Sequence, residues 1–184
     1  MKEERYKEAT LLALLYESGC RKNEILQVKR DSITDEGNAT NQVIGKRGKK
    51  FRCLYFSHTK EAFKKYDEQR KKSKNGDKSD ILFITNSGAP ATSGALYDWV
   101  KGWIKDLKVI DEEDYTGLNV HSFRHCFIQN CSDGTHWICK ENGLGAIPIE
   151  KIKVLAHHEN VSTTDSYRAN DEEKDIEELF GIKL

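Results

Sequence analysis

The segment spanning residues 93–107 restricts the possible folds of this sequence more than any other feature. Its apolar side chains recur at intervals of three and four residues; they are Leu96, Trp99, Val100, Trp103, Ile104 and Leu107. This spacing places them on one face of a helix, and that face must be buried against other elements. Thr92 or Ser93 is suited to cap the first turn. We therefore expect the two tryptophans to lie in a core rather than to stack on a ligand.

The remaining patterns predict a mostly helical α+β domain with a small antiparallel β-sheet. Further helices are predicted over residues 5–17, 23–29, 60–72, 121–131, 148–155 and 172–180. Residues 42–44 and 51–56 are predicted to form a β-hairpin, because their apolar runs flank a glycine-containing tip at residues 45–49. Residues 81–84 are typical of a short buried strand or an extended segment, whereas residues 132–146 have the composition of an irregular segment.

Length and composition are those of one globular domain. The chain has 184 residues, of which 37% are hydrophobic and 33% charged, enough to bury a core. The sequence contains no apolar run of the length that a membrane helix needs, and no signal peptide pattern at its start, so we expect a cytoplasmic protein that does not contact membranes. Five scattered cysteines are too few for a disulfide framework and are expected to be reduced.

Charge is distributed unevenly along the chain even though the net charge is zero. Residues 43–74 contain twelve Lys or Arg against three acidic residues, a local charge of +9, and we call this stretch the basic band. Residues 168–184 contain three basic and six acidic residues, a local charge of −3. A local positive surface can bind phosphates whatever the total charge, although a lysine-rich helix that only faces solvent has the same composition.

Three short motifs combine basic side chains with histidine and tyrosine. The first is Arg21 directly after the glycine-containing end of a helix, and the second is His121-Ser122-Phe123-Arg124. The third is the segment 155–168, in which two histidines precede a single tyrosine, Tyr167. Together with a lysine at the hairpin tip, the order Arg, Lys, His-x-x-Arg, His, Tyr resembles the catalytic domain of the tyrosine recombinases, the phage integrase family. The resemblance runs from about residue 9 to residue 168.

The resemblance implies a role for six residues in cutting and rejoining DNA strands through a covalent 3′-phosphotyrosyl intermediate. They are Arg21, Lys46, His121, Arg124, His158 and Tyr167. Tyrosine would be the nucleophile, the two arginines would bind the phosphate oxygens, and lysine would protonate the leaving 5′-oxygen. The histidines would hydrogen-bond the phosphate and assist proton transfer. No metal, cofactor or ATP is implied.

Two of these assignments have an alternative. The tip sequence, residues 45–50, has one residue more than the usual family hairpin, so Lys49 is an alternative to Lys46. Counting nine residues back from Tyr167 gives His158 as the site histidine and puts His157 in the place of a family glycine. Local similarity to the family sequence Leu-Gly-His favours His157 as the site histidine instead. The segment between the helices at 121–131 and 148–155 is longer than in the family, which indicates an insertion.

The expected partner is double-stranded DNA. Full-length family members carry an N-terminal DNA-clamping domain, and we expect residues 1–184 to be a single catalytic domain without it. The resemblance implies a homotetramer assembled on DNA, with the isolated fragment monomeric, in a protein encoded by a phage or mobile element. The tail at residues 168–184 is expected to form a helix whose stripe of Ile176, Leu179 and Phe180 packs either on its own domain or on a neighbouring subunit.

Three other functions are compatible with parts of the sequence. A type IB topoisomerase would use similar chemistry to relax DNA, and a binding module would occupy DNA without cutting it. A zinc-stabilised interaction domain is the third, since Cys131, His136 and Cys139 lie close in sequence with Cys126 and His125 nearby. Their spacing matches no common zinc pattern, which makes free thiols the better expectation.

Overall fold

The computed structural model describes residues 5–111, 115, 117–157 and 176–183. Over these ranges the chain is mostly helical and carries one two-stranded antiparallel sheet, as the sequence predicted. The helices are α1 (Tyr6–Ser18), α2 (Lys22–Ile25), α3 (Ser57–Lys72), α4 (Ser93–Asp111), α5 (Val120–Ser132), α6 (Trp137–Glu141) and α7 (Ile149–Leu155). The strands are β1 (Ala39–Ile44) and β2 (Lys50–Leu54).

Two clusters of buried side chains form the core. The first joins α1, α2, the hairpin and α4 around Leu14, Ile25 and Leu96. The second joins the end of β2 to α5, α6 and α7 around Phe127 and Ile152. The amphipathic helix α4 buries Leu96 and Val100 in the first cluster, with Trp99 and Ile104 half-buried against it. Trp103 is half-buried beside Phe123, and Thr92 Oγ1 accepts a hydrogen bond from Ala95 N at 3.2 Å. The expected core role of this helix and its cap are confirmed.

Three predicted elements differ in the structure. The helix expected over residues 23–29 ends at Ile25, because the backbone beyond it pairs with residues 80–82: Leu82 N donates to Val28 O at 2.7 Å. Residues 81–84, predicted to be a short buried strand or an extended segment, form two isolated bridges, Lys29 with Ile81 and Ile84 with Pro90, and no continuous strand. The segment expected to be irregular contains the short helix α6.

The insertion between α5 and α7 packs on the junction of α1 and α3. The His136 ring stacks on Tyr16 with centroids 4.1 Å apart, and Trp137 stacks on His58 at 4.0 Å. His136 Nδ1 accepts from Ile138 N at 3.1 Å, so the proton lies on Nε2, which donates to Tyr16 O at 3.0 Å. Both ring nitrogens are therefore committed to backbone groups, and burial lowers the pKa of His136 to about 4.

The proposed zinc ligands do not form a metal site. Within the ranges that the structure describes, no group of three or more His, Cys, Asp and Glu side chains is placed to hold a metal ion. Cys131 and Cys139 are buried beside each other as free thiols, and burial raises the pKa of both. Both thiols instead pack into the second core cluster. In the same described ranges, no helix is long and apolar enough to cross a membrane.

The C-terminal segment returns to its own domain. Residues 176–180 are helical, and Ile176 and Phe180 are buried in the second cluster, where the Phe180 ring lies 5.2 Å from that of Phe56. Of the two expectations for the tail, this placement matches packing on the same chain. The residues that link α7 to this segment lie outside the described ranges.

Arg70 belongs to the basic band, but its charged side chain is buried and does not contribute to the exposed surface. Its side chain is 3% exposed and donates to the backbone carbonyls of four residues between 76 and 82, at distances of 2.7–2.9 Å. Those bonds organise the loop after α3, because a guanidinium can satisfy several carbonyls at once. Arg70 is thus a structural residue, while Lys64, Lys65, Lys71 and Lys72 are exposed on the same helix.

Glu17 caps α3 from another helix. The first residues of α3 lack a capping side chain of their own, and the buried Glu17 carboxylate accepts from Phe56 N at 2.7 Å, His58 N at 3.1 Å and Thr59 N at 3.3 Å. Burial raises the pKa of Glu17, which shows the desolvation cost that these bonds offset.

We expect Glu17→Ala to lower the free energy of unfolding by about 2–4 kcal/mol, because three buried backbone N–H groups would lose their acceptor. Urea denaturation followed by circular dichroism measures this. Glu61→Ala, an exposed acid on α3 itself, is the matched control and should change stability by less than about 0.5 kcal/mol. Equal effects of the two substitutions would contradict the capping role.

His136 makes stability depend on pH in a defined direction. Its folded-state pKa lies below the ordinary value of 6.5, so between pH 6.5 and about 4 the unfolded chain binds a proton that the folded chain does not. The free energy of unfolding should therefore fall as the pH is lowered, by up to about 1.4 kcal/mol per pH unit from this residue. In His136→Asn the side chain can still cap α6 but does not titrate, so the pH slope measured by denaturation should be shallower. An unchanged slope would contradict the assignment.

Candidate active site

Arg21 lies in the tight turn between α1 and α2. The turn is possible because Gly19 adopts φ 59°, in the left-handed region, and its N–H donates to Leu15 O at 3.1 Å. A side chain at Gly19 would also collide with the Phe127 ring. The backbone conformation and the close packing therefore both require glycine at this position. Arg21 then precedes the first turn of α2, where its guanidinium is about one-third exposed.

Glu24 holds Arg21 in place, and sequence reasoning did not identify it. Its carboxylate is 2% exposed and accepts from Arg21 N at 2.6 Å and from Arg21 Nη1 at 3.2 Å. A buried carboxylate bonded to both the backbone and the guanidinium fixes the direction of that side chain. The sequence signal for this role was the acidic residue three positions after Arg21, the spacing of a helix capping box.

Lys46 projects from the tip of the β-hairpin. The strands pair antiparallel, Val43 with Phe51 and Ile44 with Lys50, and Gly45 N donates to Lys49 O at 2.8 Å to close the tip. Gln27, just after α2, anchors β1: its amide donates to Ile44 O and accepts from Ile44 N, both at 2.9 Å. Lys46 is exposed, whereas Lys49 is half-buried.

The first turns of α5 carry His121 and Arg124, which are three positions apart in the sequence. Asn119 caps the helix by accepting from His121 N at 2.8 Å, which places the exposed imidazole at the helix start. The pKa of His121 is lowered by partial desolvation and then by His125, Arg124 and Arg21, so the imidazole is neutral at pH 7. The ring of His125 meets it edge-on at 4.6 Å.

Arg124 is buried beneath this surface. It is 2% exposed, and its guanidinium donates to Gly19 O at 2.6 Å and to Ala156 O at 2.5 Å. These bonds use one donor on each terminal nitrogen of a group that has five N–H donors. Burial, and after it the charge of Arg21, lowers the pKa of Arg124, which remains charged.

One cleft brings together three of the six predicted residues, and Arg124 is not part of its wall. It has a volume of about 740 Å³, and its wall includes Arg21, Lys46 and His121, which are far apart in sequence. Glu24 and Tyr97 also line it. The cleft therefore presents a guanidinium held by Glu24, an exposed ammonium group and a neutral imidazole to one space, a combination suited to binding and protonating a phosphate ester.

His157 differs from the other candidates. It has φ 50°, in the left-handed region, is 6% exposed, and stacks on Phe51 with ring centroids 3.7 Å apart. Burial and the charges of Lys49, Arg124 and Arg21 lower its pKa to about 3, so the ring is neutral. His158 and Tyr167 lie outside the described residues.

Comparisons with known proteins point to one family. The model of the Phage integrase family matches residues 1–174. The chain is 30% identical, over 173 residues, to the tyrosine recombinase XerC of Treponema denticola, covering 88% of this chain and 51% of the relative.

Two solved structures share the fold. One is the XerH site-specific recombinase bound to a palindromic difH substrate as a post-cleavage complex: the TM-score is 0.59 at 20% identity, covering 97% of this chain and 47% of that one. The other is the Tn1549 transposon integrase in complex with circular intermediate DNA, with a TM-score of 0.58 at 16% identity, covering 92% of this chain and 59% of that one.

The chain spans about half the length of the curated relative and of the XerH recombinase. The family match nevertheless covers nearly all of it, and the helical domain with its single hairpin has the fold of tyrosine recombinase catalytic domains. The chain belongs to the phage integrase family, the tyrosine recombinases.

Proposed function

We propose that this chain is the catalytic part of a site-specific DNA recombinase, which cuts and rejoins DNA through a covalent 3′-phosphotyrosyl intermediate. The observation that carries the proposal is the cleft, because it joins Arg21, Lys46 and His121 in the roles that the family resemblance implies. The named relatives are recombinases and integrases, which favours recombination over strand relaxation by a type IB topoisomerase.

The phosphate would be bound by the two arginines. Negative charge grows on the equatorial oxygens of the phosphorus in the transition state, and guanidinium groups stabilise it with paired, permanently charged donors. Arg21 reaches the cleft with its direction fixed by Glu24. Arg124 is buried and bonded to Gly19 O and Ala156 O, and its remaining N–H donors would bind the phosphate.

Bond exchange would then run through Tyr167. Its phenol oxygen attacks the phosphorus and loses its proton with the help of the histidines, while the bond to the 5′-oxygen breaks and that oxygen takes a proton from Lys46. The same steps in reverse, with another strand's 5′-hydroxyl as nucleophile, rejoin the DNA. Energy is conserved in the aryl phosphodiester, so no ATP is consumed.

The structure favours one choice in each open assignment. Lys46 lines the cleft and is exposed, which supports it over the half-buried Lys49 as the acid. His157 is buried behind Phe51 in a left-handed conformation that suits a glycine position, which supports His158 as the phosphate-contacting histidine. Double-stranded DNA is the proposed substrate, and a homotetramer on two duplexes is the proposed active assembly of the full-length protein.

Tyr167→Phe should abolish covalent attachment to DNA and leave DNA affinity nearly unchanged, because only the attacking oxygen is lost. The measurement is incubation with a nicked duplex carrying the protein's recombination site, scored for a protein–DNA adduct on a denaturing gel, together with a binding titration. Tyr115→Phe is the matched control and should retain the adduct. An adduct in Tyr167→Phe would refute the nucleophile, and no adduct with the wild type would favour a non-catalytic binding module.

The basic band should make DNA affinity depend steeply on salt, because each neutralised phosphate releases counterions. Replacing Lys64, Lys65, Lys71 and Lys72 with Ala should flatten the plot of log affinity against log salt by about 1 for each lysine that contacts a phosphate. The control is an equal number of exposed lysines outside the band, Lys101, Lys105, Lys140 and Lys153. If both sets change the slope equally, the exposed face of α3 has no special role in DNA binding.

A further inference from the structure

The ring of His157 makes a contact that a glycine in its place could not make. The family resemblance puts a glycine at this position, and the backbone there keeps the left-handed φ of 50° that glycine adopts without strain. Here an imidazole is present instead, 6% exposed and stacked at an interplanar angle of 25° on Phe51 of strand β2. The end of α7 is thereby in direct contact with the β-hairpin.

Phe51 also contacts the backbone of the hairpin tip. A Cβ added to Gly45 would lie 2.6 Å from Phe51 Cε1 and 3.2 Å from Glu24 Oε1, so the backbone of Gly45 rests on the Phe51 ring beside the carboxylate that holds Arg21. Lys46 follows Gly45 directly. A continuous stack therefore runs from His157 through Phe51 to the backbone that carries Lys46.

His157 has properties that suit a supporting side chain. Its ring is neutral, because burial and the nearby charges of Lys49, Arg124 and Arg21 disfavour a proton. It therefore adds contact area without adding positive charge to a site that is already cationic. Its Nδ1 has no hydrogen-bond partner among the described residues.

We propose that His157 is a positioning residue that holds the Gly45–Lys46 tip at the cleft through the Phe51 ring. The proposal rests on the proposed function, in which Lys46 protonates the leaving oxygen. A two-stranded hairpin is marginally stable by itself, so a lysine at its tip needs external support to stay near a reacting atom. Gln27 supports β1 through Ile44, and His157 supports β2 from the other side.

Amide hydrogen exchange in the absence of DNA tests the support directly. The variants are His157→Asn, which tolerates the left-handed backbone but has no ring, and His157→Gly, which relaxes that backbone. Both should accelerate exchange at residues 44–50 on the order of 10-fold while the amides of α1 and α4 keep their rates. Unchanged exchange at the tip, or equal acceleration throughout the protein, would overturn the proposal.

DNA cleavage tests the consequence for Lys46. We expect His157→Asn to slow cleavage on the order of 10²-fold on ordinary DNA. Cleavage should recover when the scissile 5′-oxygen is replaced by sulfur, because a thiolate leaves without a proton. Lys46→Ala should show the same recovery, whereas Arg21→Ala should not, since its loss acts on the phosphate oxygens.

The outcomes separate the two proposals. Equal loss of cleavage by His157→Asn on both substrates would overturn the positioning role, because the defect would then lie in phosphate binding or in the nucleophile. If the wild type attaches to neither substrate, the proposed function fails, while the exchange measurement still decides whether His157 supports the tip. Phe51→Leu should reproduce the cleavage defect, and combining it with His157→Asn should add little further loss, since both act through one contact.

Discussion

The candidate site depends on one buried guanidinium. Arg124 lies between the C-terminal ends of α1 and α7, where it donates to Gly19 O and Ala156 O. Helix C-termini carry partial negative charge and unpaired carbonyls, so they can offset the desolvation of a buried cation without a carboxylate partner. The same two bonds fix the turn that presents Arg21 and the turn that leads to His157. A single side chain thus sets the relative positions of segments more than 100 residues apart.

The other candidate site residues share one structural feature: each lies at the end of a helix or strand. Arg21 follows α1, Lys46 lies at a hairpin tip and His121 begins α5. At such ends the side chain is free to face a ligand, while its backbone is held by the element behind it. Polar side chains hold these ends: the buried Glu24 on the first turn of α2, the half-buried Gln27 on β1 and the exposed Asn119 at the start of α5.

The elements that depend on local periodicity could be predicted from the sequence. The elements that depend on pairing between distant segments could not. The helices now seen as α1, α3, α4, α5 and α7 were predicted, because their apolar spacing and end signals agree. The second helix was predicted too long, since nothing local announces that Val28 O will pair with Leu82 N. For the site, the order of motifs predicted Arg21, Lys46, His121 and Arg124, and the structure places Arg21, Lys46 and His121 on one cleft. The bonds from Arg21 to Glu24 were not predicted, although the two residues have the spacing of a capping box. The stacking of His157 on Phe51 could not be predicted, because it joins elements that are distant in sequence.

A net charge of zero is compatible with a phosphate-binding cleft because the two basic residue types serve different purposes here. Two of the arginines serve the fold alone: Arg70 binds backbone carbonyls, and Arg30 pairs with Asp67 and Asp77. A planar guanidinium suits these sites, because it satisfies several acceptors in fixed directions. Exposed lysines supply most of the surface charge of α3 and the hairpin tip. In the proposed mechanism Arg21 and Arg124 combine both uses, since Glu24 holds Arg21 at the cleft and Arg124 bonds to two backbone carbonyls with only part of its donors. The total charge therefore does not determine the potential inside the cleft, which depends on where each cation and the Glu24 carboxylate in its wall are placed.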